Sequence, residues 1–371
     1  MKVGIPKEIK DNEYRVGLVP ATVRELVARG HRVIVETGAG TVAGISDHEY
    51  RDAGAEIAPG AEQVFEQAEL IVKVKEPLAD ERSRLRPHQV LFTYLHLAAD
   101  PELTRDLLNT GVTAIAYETV SGPGRTLPLL RPMSEVAGRM APQIGAHYLE
   151  RPHGGRGVLL GGVEGVAPGK VFIIGTGIVG LNAALIAVGM NAEVTMAGKP
   201  GALEAVGARF GREVRAVLST PQTIEAECRE ADLVIGAALV PGGAAPKLIS
   251  RAMVGKMKPG SVIVDVSIDQ GGNAETSRPT THSAPTFVVD GVIHYCVANM
   301  PGAVPRTSTF ALNYATRPFV LALADKGYRR ALAEDADFRN GLNVSAGKVT
   351  CRAVAEALNL AYTPAEEAIA G

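Results

Sequence analysis

The chain has 371 residues, 46% of them hydrophobic and 21% charged, with a formal net charge of −2 at pH 7. This length predicts two domains, because one ordinary core rarely serves so many residues, and the near-neutral charge argues against a nucleic-acid-binding protein. The three cysteines have no CxxC spacing, which predicts a protein of a reducing cytoplasm without a disulfide framework or a zinc site. The sequence shows no signal peptide. It also has no apolar run of the about 20 residues that span a bilayer, so we expect no membrane segment.

Residues 1–128 alternate between predicted strands and helices. The predicted strands lie at 2–6, 32–36, 70–74, 90–95 and 113–117, and the predicted helices at 21–30, 47–53, 61–68 and 101–110. Strands separated by helices of this length form βαβ units, so we expect a parallel sheet with right-handed crossovers.

Three basic side chains follow strands of this predicted sheet. Arg15 lies in the loop after the first strand, Lys75 follows strand 70–74, and His96 follows strand 90–95. Ligands of open parallel sheets gather at the carboxyl ends of the strands. A guanidinium, an ammonium and an imidazole there predict a site for a small carboxylate beside a proton-transfer group.

Each of these side chains also has a purely structural interpretation. Lys75 could be a strand-end lysine paired with the acid that follows it, and His96 could be a buried structural donor in apolar surroundings. Arg15 could simply neutralise an acid of its own loop, Asp11 or Glu13.

A long helix is predicted to begin at Ser134, with Ser134 as its N-cap, and to connect the two domains. Pro142 is expected to kink it. The glycine-rich stretch that follows, 154–165, precedes no helix, so we interpret it as a loop or short hairpin near the cleft and not as a phosphate loop.

The segment 170–199 carries the most specific motif of the chain. A strand at 171–174 runs directly into Gly175-Thr-Gly177-Ile178-Val179-Gly180, which a helix and a second strand at 193–196 follow. The three glycines allow a tight turn, approach of a pyrophosphate and close helix–strand packing, and the helix N-terminus offers N–H groups to phosphates. This context favours dinucleotide binding over a glycine-rich structural turn.

The acid that normally meets the adenosine ribose at the end of the second strand is missing. Gly198 and Lys199 stand there. Nothing at this tip repels a 2′-phosphate and Lys199 could attract one, although it could equally be a solvated loop residue. The motif therefore predicts a nicotinamide cofactor and leaves NAD and NADP both open.

The same domain continues with predicted strands at 214–218, 233–237, 262–268 and 293–297 and helices at 221–230 and 246–257. Six strands match a doubly wound dinucleotide fold. Asp269 and Asn299 follow the last two strands, where nicotinamide should lie, although Asn299 could be ordinary loop polarity.

A second long helix is predicted at 307–327, interrupted by Pro318, and the alanine-rich tail to residue 371 is expected to be helical and to pack on the first domain. We therefore expect a substrate domain of residues 1–128 plus 306–371, with a Rossmann dinucleotide domain of residues 129–305 inserted into it.

The chain resembles the family of alanine dehydrogenases and transhydrogenase α subunits over nearly its full length. The resemblance is carried by the following stretches: MKVGIPKEIKDNEYRVGLVP at 1–20, LIVKVKEP at 70–77, FTYLHLA at 92–98, RPMSEVAGRMA at 131–141, GGRGVLLGGVEGV at 154–166, DVSIDQGG at 265–272, RPTTH at 278–282 and YCVANMPGAVPRTST at 295–309.

The resemblance implies that Arg15 and Lys75 hold the substrate carboxylate, that His96 is the general acid/base, and that Asp269 assists proton handling. It further implies cofactor contacts, for which the candidates are Ser134, Gly175, Gly177, Ile178, Val179, Gly180, Gly198, Lys199, Leu239, Ile268, Asn299 and Met300. Gly198 departs from the family pattern, which usually has aspartate there.

The expected activity is the reversible oxidative deamination of L-alanine to pyruvate and ammonia with NAD, or with NADP because of the altered tip. We expect the reaction to require no metal. Closure of the two domains would exclude water from the site. The resemblance also implies a homohexamer. Two other functions remain open: a related dehydrogenase for another small amino or 2-oxo acid, and a transhydrogenase-like NAD(H)-binding subunit. A non-catalytic nucleotide-binding protein is a third.

Overall fold

The computed structural model describes residues 1–239 and 244–370, and these divide into two compact units. The first unit comprises Met1–Met133 and Gly302–Gly371, and the second comprises Ser134–Pro301. Strands and helices are numbered in chain order through both units.

The strands form one sheet in each unit. Their bounds are β1 (Lys2–Ile5), β2 (Arg32–Glu36), β3 (Glu56–Ala58), β4 (Leu70–Val72), β5 (Val90–Thr93), β6 (Thr113–Ala116), β7 (Lys170–Ile174), β8 (Glu193–Gly198), β9 (Val214–Leu218), β10 (Leu233–Gly236), β11 (Val262–Asp265), β12 (Thr286–Val289), β13 (Val292–Tyr295), β14 (Leu342–Ser345) and β15 (Lys348–Val349).

The helices connect these strands and flank the sheets. Their bounds are α1 (Pro20–Ala28), α2 (Asp47–Asp52), α3 (Ala61–Gln67), α4 (Ala79–Arg82), α5 (Pro101–Thr110), α6 (Arg131–Leu149), α7 (Ile178–Gly189), α8 (Pro200–Phe210), α9 (Pro221–Glu230), α10 (Arg251–Val254), α11 (Pro305–Lys326), α12 (Tyr328–Glu334), α13 (Ala336–Arg339), α14 (Arg352–Leu358) and α15 (Ala365–Ala370). None of the described helices combines the length and apolar character that a membrane span requires.

The sheet of the first unit has the order β15-β14-β6-β5-β4-β1-β2-β3. Strands β1 to β6 are parallel, and the side chains of β4, β5 and β6 are buried throughout, as continuous apolar strands covered on both faces should be. The strand order reverses between β1 and β4, so the loops after these two strands flank a crevice at the carboxyl edge.

The sheet of the second unit has the order β12-β13-β11-β10-β7-β8-β9, which is the doubly wound order with one added antiparallel edge strand, β12. Its order reverses between β7 and β10. The predicted α/β class with parallel-dominated sheets is confirmed.

Several predicted elements of the second unit are wrong. The helix predicted at 246–257 is reduced to α10, because residues 245–250 are tied to the loop after β11 through backbone bonds such as Leu248 N–H to Asn273 O, 2.8 Å. The strand predicted at 262–268 ends at Asp265 and continues as a 3₁₀ turn, Val266–Gln270. Helix α6 begins at Arg131, so Ser134 lies inside its first turns and is not its N-cap.

The C-terminal region also differs from expectation. The tail is not wholly helical, because β14 pairs antiparallel with β6 and β15 pairs with β14, which extends the first unit's sheet. Helix α11 continues through Pro318 without interruption. A proline inside a helix removes one backbone hydrogen bond and crowds one carbonyl, and the surrounding turns of this 22-residue helix tolerate it.

Candidate active site

Arg15 lies in the loop after β1, at the reversal point of the first unit's sheet. The guanidinium is 2% exposed and is engaged on two sides by Glu13, with Nε–Oε1 at 2.7 Å and Nη2–Oε2 at 2.5 Å. Burial alone would lower the pKa of Arg15, but the hydrogen bonds and charge of Glu13 outweigh it and raise the pKa. Nη1 points towards Met133 Sδ at 2.9 Å. The interpretation of Arg15 as a partner of Glu13 is therefore correct for two nitrogens of its guanidinium, Nε and Nη2.

Lys75 lies on the other side of the same reversal point, just after β4. Its main chain is held by Thr93, whose hydroxyl donates to Lys75 O at 2.9 Å. Among the described residues Nζ has no hydrogen-bond or ion-pair partner, since the neighbouring Glu76 pairs with Lys10 instead. Burial lowers the pKa of Lys75, and the charge of Arg15 lowers it further. A half-buried ammonium of this kind is suited to receive an anion.

Lys73, two residues earlier, has the opposite environment. It is fully buried, and its ammonium binds Glu81 at 2.5 Å and Glu8 at 3.1 Å. The desolvation that would lower the pKa of Lys73 is outweighed by these two carboxylates, which raise it. Lys73 is thus a structural cation, and Lys75 is the one whose ammonium is available for a ligand.

His96 follows β5 and its side chain is 51% exposed, so the alternative of a buried structural histidine is wrong. Its backbone is left-handed, at φ 53°, which few non-glycine residues adopt. Glu118 stabilises this turn by accepting the N–H of Leu95 at 3.2 Å and of His96 at 2.5 Å. The ring of His96 stacks on buried Tyr94, with centroids 6.0 Å apart.

Glu118 also reaches the imidazole, with 3.9 Å between Oε1 and Nδ1 of His96. The carboxylate of Glu118 thus places a negative charge beside this ring nitrogen. Sequence reasoning missed Glu118, although the criterion that found His96 applies to it equally, because Glu118 follows β6 at the carboxyl edge of the sheet.

The glycine motif of the second unit lies between β7 and α7. Gly175 has φ 116°, and a Cβ there would lie 2.5 Å from Ala237 O, in the loop after β10. A Cβ on Gly180 would overlap the carbonyl oxygen of Gly175, whereas one on Gly177 would meet nothing within 4 Å. Gly177 is the N-cap of α7, and Ile178 and Val179 form its first turn with no side-chain cap. The motif thus leaves open space and free N–H groups where a pyrophosphate would approach.

The strand tip that lacks the acid has a specific packing. Gly198 is the buried last residue of β8, and a Cβ on it would lie 2.5 Å from Cγ2 of Thr176, the second residue of the glycine motif. Thr176 therefore occupies the space that any side chain at position 198 would need. Lys199 is exposed and is the N-cap of α8.

Asp269 lies in the 3₁₀ turn after β11 and is exposed, whereas the neighbouring Ile268 is buried. The loop that carries them is held by Asp265, whose Oδ2 accepts the N–H of Asn273 at 2.7 Å and the hydroxyl of Ser277 at 2.6 Å. Burial raises the pKa of Asp265.

The amide of Asn273 in turn binds Ala238 O and N, both at 2.9 Å. It thereby ties the loop after β11 to the loop after β10, which bears the exposed Leu239. Neither Asp265 nor Asn273 was among the sequence candidates.

The remaining cofactor candidates lie at other points of the second unit. Asn299 has a left-handed backbone, φ 67°, and its carbonyl pairs with His282 Nε2 at 3.0 Å. Met300 is buried at the start of a 3₁₀ turn, Met300–Ala303. Ser134 is partly exposed on α6.

Comparison with known proteins identifies the family. The family model described as "Alanine dehydrogenase/PNT, N-terminal domain" matches residues 4–137, and the one described as "Alanine dehydrogenase/PNT, C-terminal domain" matches residues 141–352. The chain belongs to the alanine dehydrogenase/PNT family.

Individual members of this family are similar over the whole chain. The sequence is 59% identical over 370 residues to the protein named Alanine dehydrogenase from Halomonas elongata, covering 100% of both chains. A solved structure titled L-alanine dehydrogenase is 52% identical with a TM-score of 0.94, covering 97% of this chain and 99% of that one. The structure of a transhydrogenase from Sinorhizobium meliloti is 27% identical with a TM-score of 0.82, covering 95% and 100%. The family resemblance inferred from the sequence is confirmed.

The glycine geometry predicts different costs for two substitutions in one motif. Gly180→Ala should destabilise the second unit by about 2 kcal/mol or more, because its methyl group overlaps a backbone carbonyl that cannot move away. Gly177→Ala should cost less, about 1 kcal/mol at most for alanine at this N-cap, because its methyl group enters open space. Urea unfolding of both variants measures the difference, and equal midpoints would contradict the packing described here.

Proposed function

We propose that this chain catalyses the reversible oxidative deamination of L-alanine to pyruvate and ammonia with a nicotinamide cofactor. The observation that carries the chemical class is the ammonium of Lys75 beside Arg15, at the reversal point of the first unit's sheet, for which residues 1–239 and 244–370 provide no partner. The choice of alanine rests on relatives named alanine dehydrogenase that are similar over the full length.

We assign the substrate carboxylate to Lys75 and Arg15. Glu13 already neutralises much of the charge of Arg15, so the charge of the carboxylate is balanced chiefly by Lys75, and Arg15 contributes directional hydrogen bonds. This assignment gives the two cations different roles although both bind one group.

We assign proton transfer to His96, with assistance from Asp269. The nicotinamide nucleotide, held by the residues assigned to it below, would supply a hydride acceptor for the oxidation of alanine at Cα to an imine and a hydride donor for the reverse reaction. The imine is hydrated by water to a carbinolamine, which loses ammonia to give pyruvate. His96 would take the proton from the attacking water and return it to the leaving amine, a role that suits a partly exposed imidazole beside a carboxylate.

We assign the cofactor to the fold between β7 and β10. The free N–H groups of α7 and the open space beside Gly177 fit a pyrophosphate. The family resemblance assigns five further residues to the cofactor: Ser134, Leu239, Ile268, Asn299 and Met300. It also implies a cytoplasmic location and a homohexamer. Sedimentation equilibrium would test the mass of the hexamer.

The end of β8, at Gly198 and Lys199, supports NADPH as an accepted substrate besides NADH. It presents no carboxylate to repel a 2′-phosphate, and the exposed ammonium of Lys199 lies at the N-terminus of α8.

Reductive amination of pyruvate with ammonia tests the proposed function directly, with glyoxylate and 2-oxobutyrate as competing acceptors. Pyruvate should be the best acceptor. Lys75→Met should raise the KM for pyruvate about 10- to 150-fold, since a charged hydrogen bond worth about 1.5–3 kcal/mol is lost, whereas Lys348→Met, an exposed lysine of the same unit, should not. A better acceptor than pyruvate would indicate another amino-acid dehydrogenase, and cofactor binding without any turnover would indicate a transhydrogenase-like or non-catalytic protein.

Substitutions around His96 separate the proton carrier from the carboxylate that positions it. His96→Ala should reduce kcat by about 10²–10⁴-fold, the usual contribution of general acid–base catalysis, and leave NADH binding intact. Glu118→Gln keeps the acceptor for the backbone N–H groups but removes the negative charge beside the ring, so kcat should fall about tenfold. Glu62→Gln, an exposed control, should have no effect. A His96→Ala enzyme that keeps a tenth of the wild-type rate would exclude the assignment.

The contact between Thr176 and Gly198 sets the design of a cofactor switch. Gly198→Asp alone should weaken the binding of both cofactors, because its Cβ meets Thr176 Cγ2. The pair Thr176→Ala with Gly198→Asp removes the obstruction and should lower the ratio of kcat/KM for NADPH to that for NADH at least about tenfold through repulsion of the 2′-phosphate. Thr176→Ala alone is the control. An unchanged ratio in the folded double variant would show that this tip does not select the cofactor.

A further inference from the structure

Two histidines and a glutamate meet on the surface of the second unit, where α6 ends. His147 lies in the last turn of α6, Glu150 follows the helix, and His153 closes the 3₁₀ turn Arg151–His153. Their ligand atoms all lie within 4.8 Å of one another, and the two imidazole rings have centroids 3.8 Å apart. None of the three belongs to the residues assigned above to substrate or cofactor.

The backbone holds these residues in fixed positions. The N–H of Glu150 donates to His147 O at 3.2 Å, and Glu150 O accepts the N–H groups of His153 and Gly155, both at 3.1 Å. Gly154, with φ 87°, ends the turn. The three side chains thus project from two consecutive tight turns, so their proximity comes from ordered backbone and not from a chance meeting of flexible loops.

We propose that His147, Glu150 and His153 bind a divalent transition-metal ion, with Zn²⁺ as the best fit. Two imidazole nitrogens and one carboxylate oxygen are a donor set of borderline softness, which suits Zn²⁺ better than Mg²⁺ or Ca²⁺, whose ligands are oxygens. Three protein ligands leave the fourth tetrahedral position for water.

Metal binding requires the two imidazole rings to turn apart as their nitrogens converge, because two imidazoles on one tetrahedral zinc have centroids about 5 Å apart, against 3.8 Å here. Ligand atoms about 2.1 Å from a tetrahedral zinc lie about 3.4 Å from one another, so the present separations must shorten. All three side chains are exposed, and both imidazole rings contact the ring of Tyr148, at centroid distances of 5.0 Å for His147 and 5.8 Å for His153. The ion would join the end of α6 to the 3₁₀ turn and stabilise the second unit by mass action.

Zinc titration calorimetry on the full-length chain without an affinity tag, after removal of metal by a chelator, tests the proposal. We expect one ion per chain and a rise in the thermal unfolding midpoint with added Zn²⁺. The pair His147→Ala with His153→Ala should lose about a hundredfold or more in affinity, because two of three ligands are removed. Glu150→Gln should lose less, since an amide oxygen is a weaker ligand.

Two controls separate this site from other zinc ligands of the chain. His48→Ala removes another exposed histidine, which lies 2.8 Å from Asp52, and Cys351→Ser removes the least buried thiol; both should leave the affinity unchanged. Unfolding midpoints without metal should be equal in all variants, which shows that each is folded. Absence of zinc binding by the wild-type chain, or equal binding by the double histidine variant, would overturn the proposal.

Discussion

The carboxylate of Glu8 holds together the two strands between which the first unit's sheet reverses. Glu8 follows β1, and its Oε1 accepts the N–H of Val74 at 2.6 Å and of Lys75 at 3.3 Å, just beyond the end of β4. It also binds the ammonium of Lys73. Burial raises the pKa of Glu8 against the opposing charge of Lys73. Removing one partner from such a buried pair typically costs about 3–5 kcal/mol, and the same carboxylate binds the main chain of Lys75.

This arrangement explains why two lysines in the sequence KVKEP have different roles. Lys73 and Lys75 are two positions apart, with only Val74 between them, just after the end of β4. Lys73 still belongs to the buried core, where Glu8 and Glu81 satisfy it. Lys75 is less buried, and the acid beside it, Glu76, pairs with Lys10 instead. Of these two lysines, the charge network of the described residues thus leaves Lys75 for a ligand.

The sequence predicted the location of the candidate site better than its supporting residues. Strand ends are readable from apolar runs, and this was sufficient to bring Arg15, Lys75 and His96 to one edge of one sheet. It could not predict that Arg15 is bound by Glu13, because a choice between two acids of one loop depends on side-chain geometry. The strands β14 and β15 were missed for a related reason, since such short segments become strands by pairing, β14 with β6 and β15 with β14.

The packing at Gly198, at the end of β8, also could not be predicted from the sequence, because it depends on a single contact in the fold. The absence of an acid at position 198 is visible in the sequence, and so is a threonine in the glycine motif, but nothing in their spacing connects them. The fold brings them together because Gly175 N–H donates to Ala197 O at 2.9 Å, which aligns the turn after β7 with the end of β8. Residues in such direct contact do not contribute additively when substituted. A change of Gly198 to an acid therefore requires a smaller residue at position 176 first. In the reverse order, the new side chain at position 198 would overlap that of Thr176.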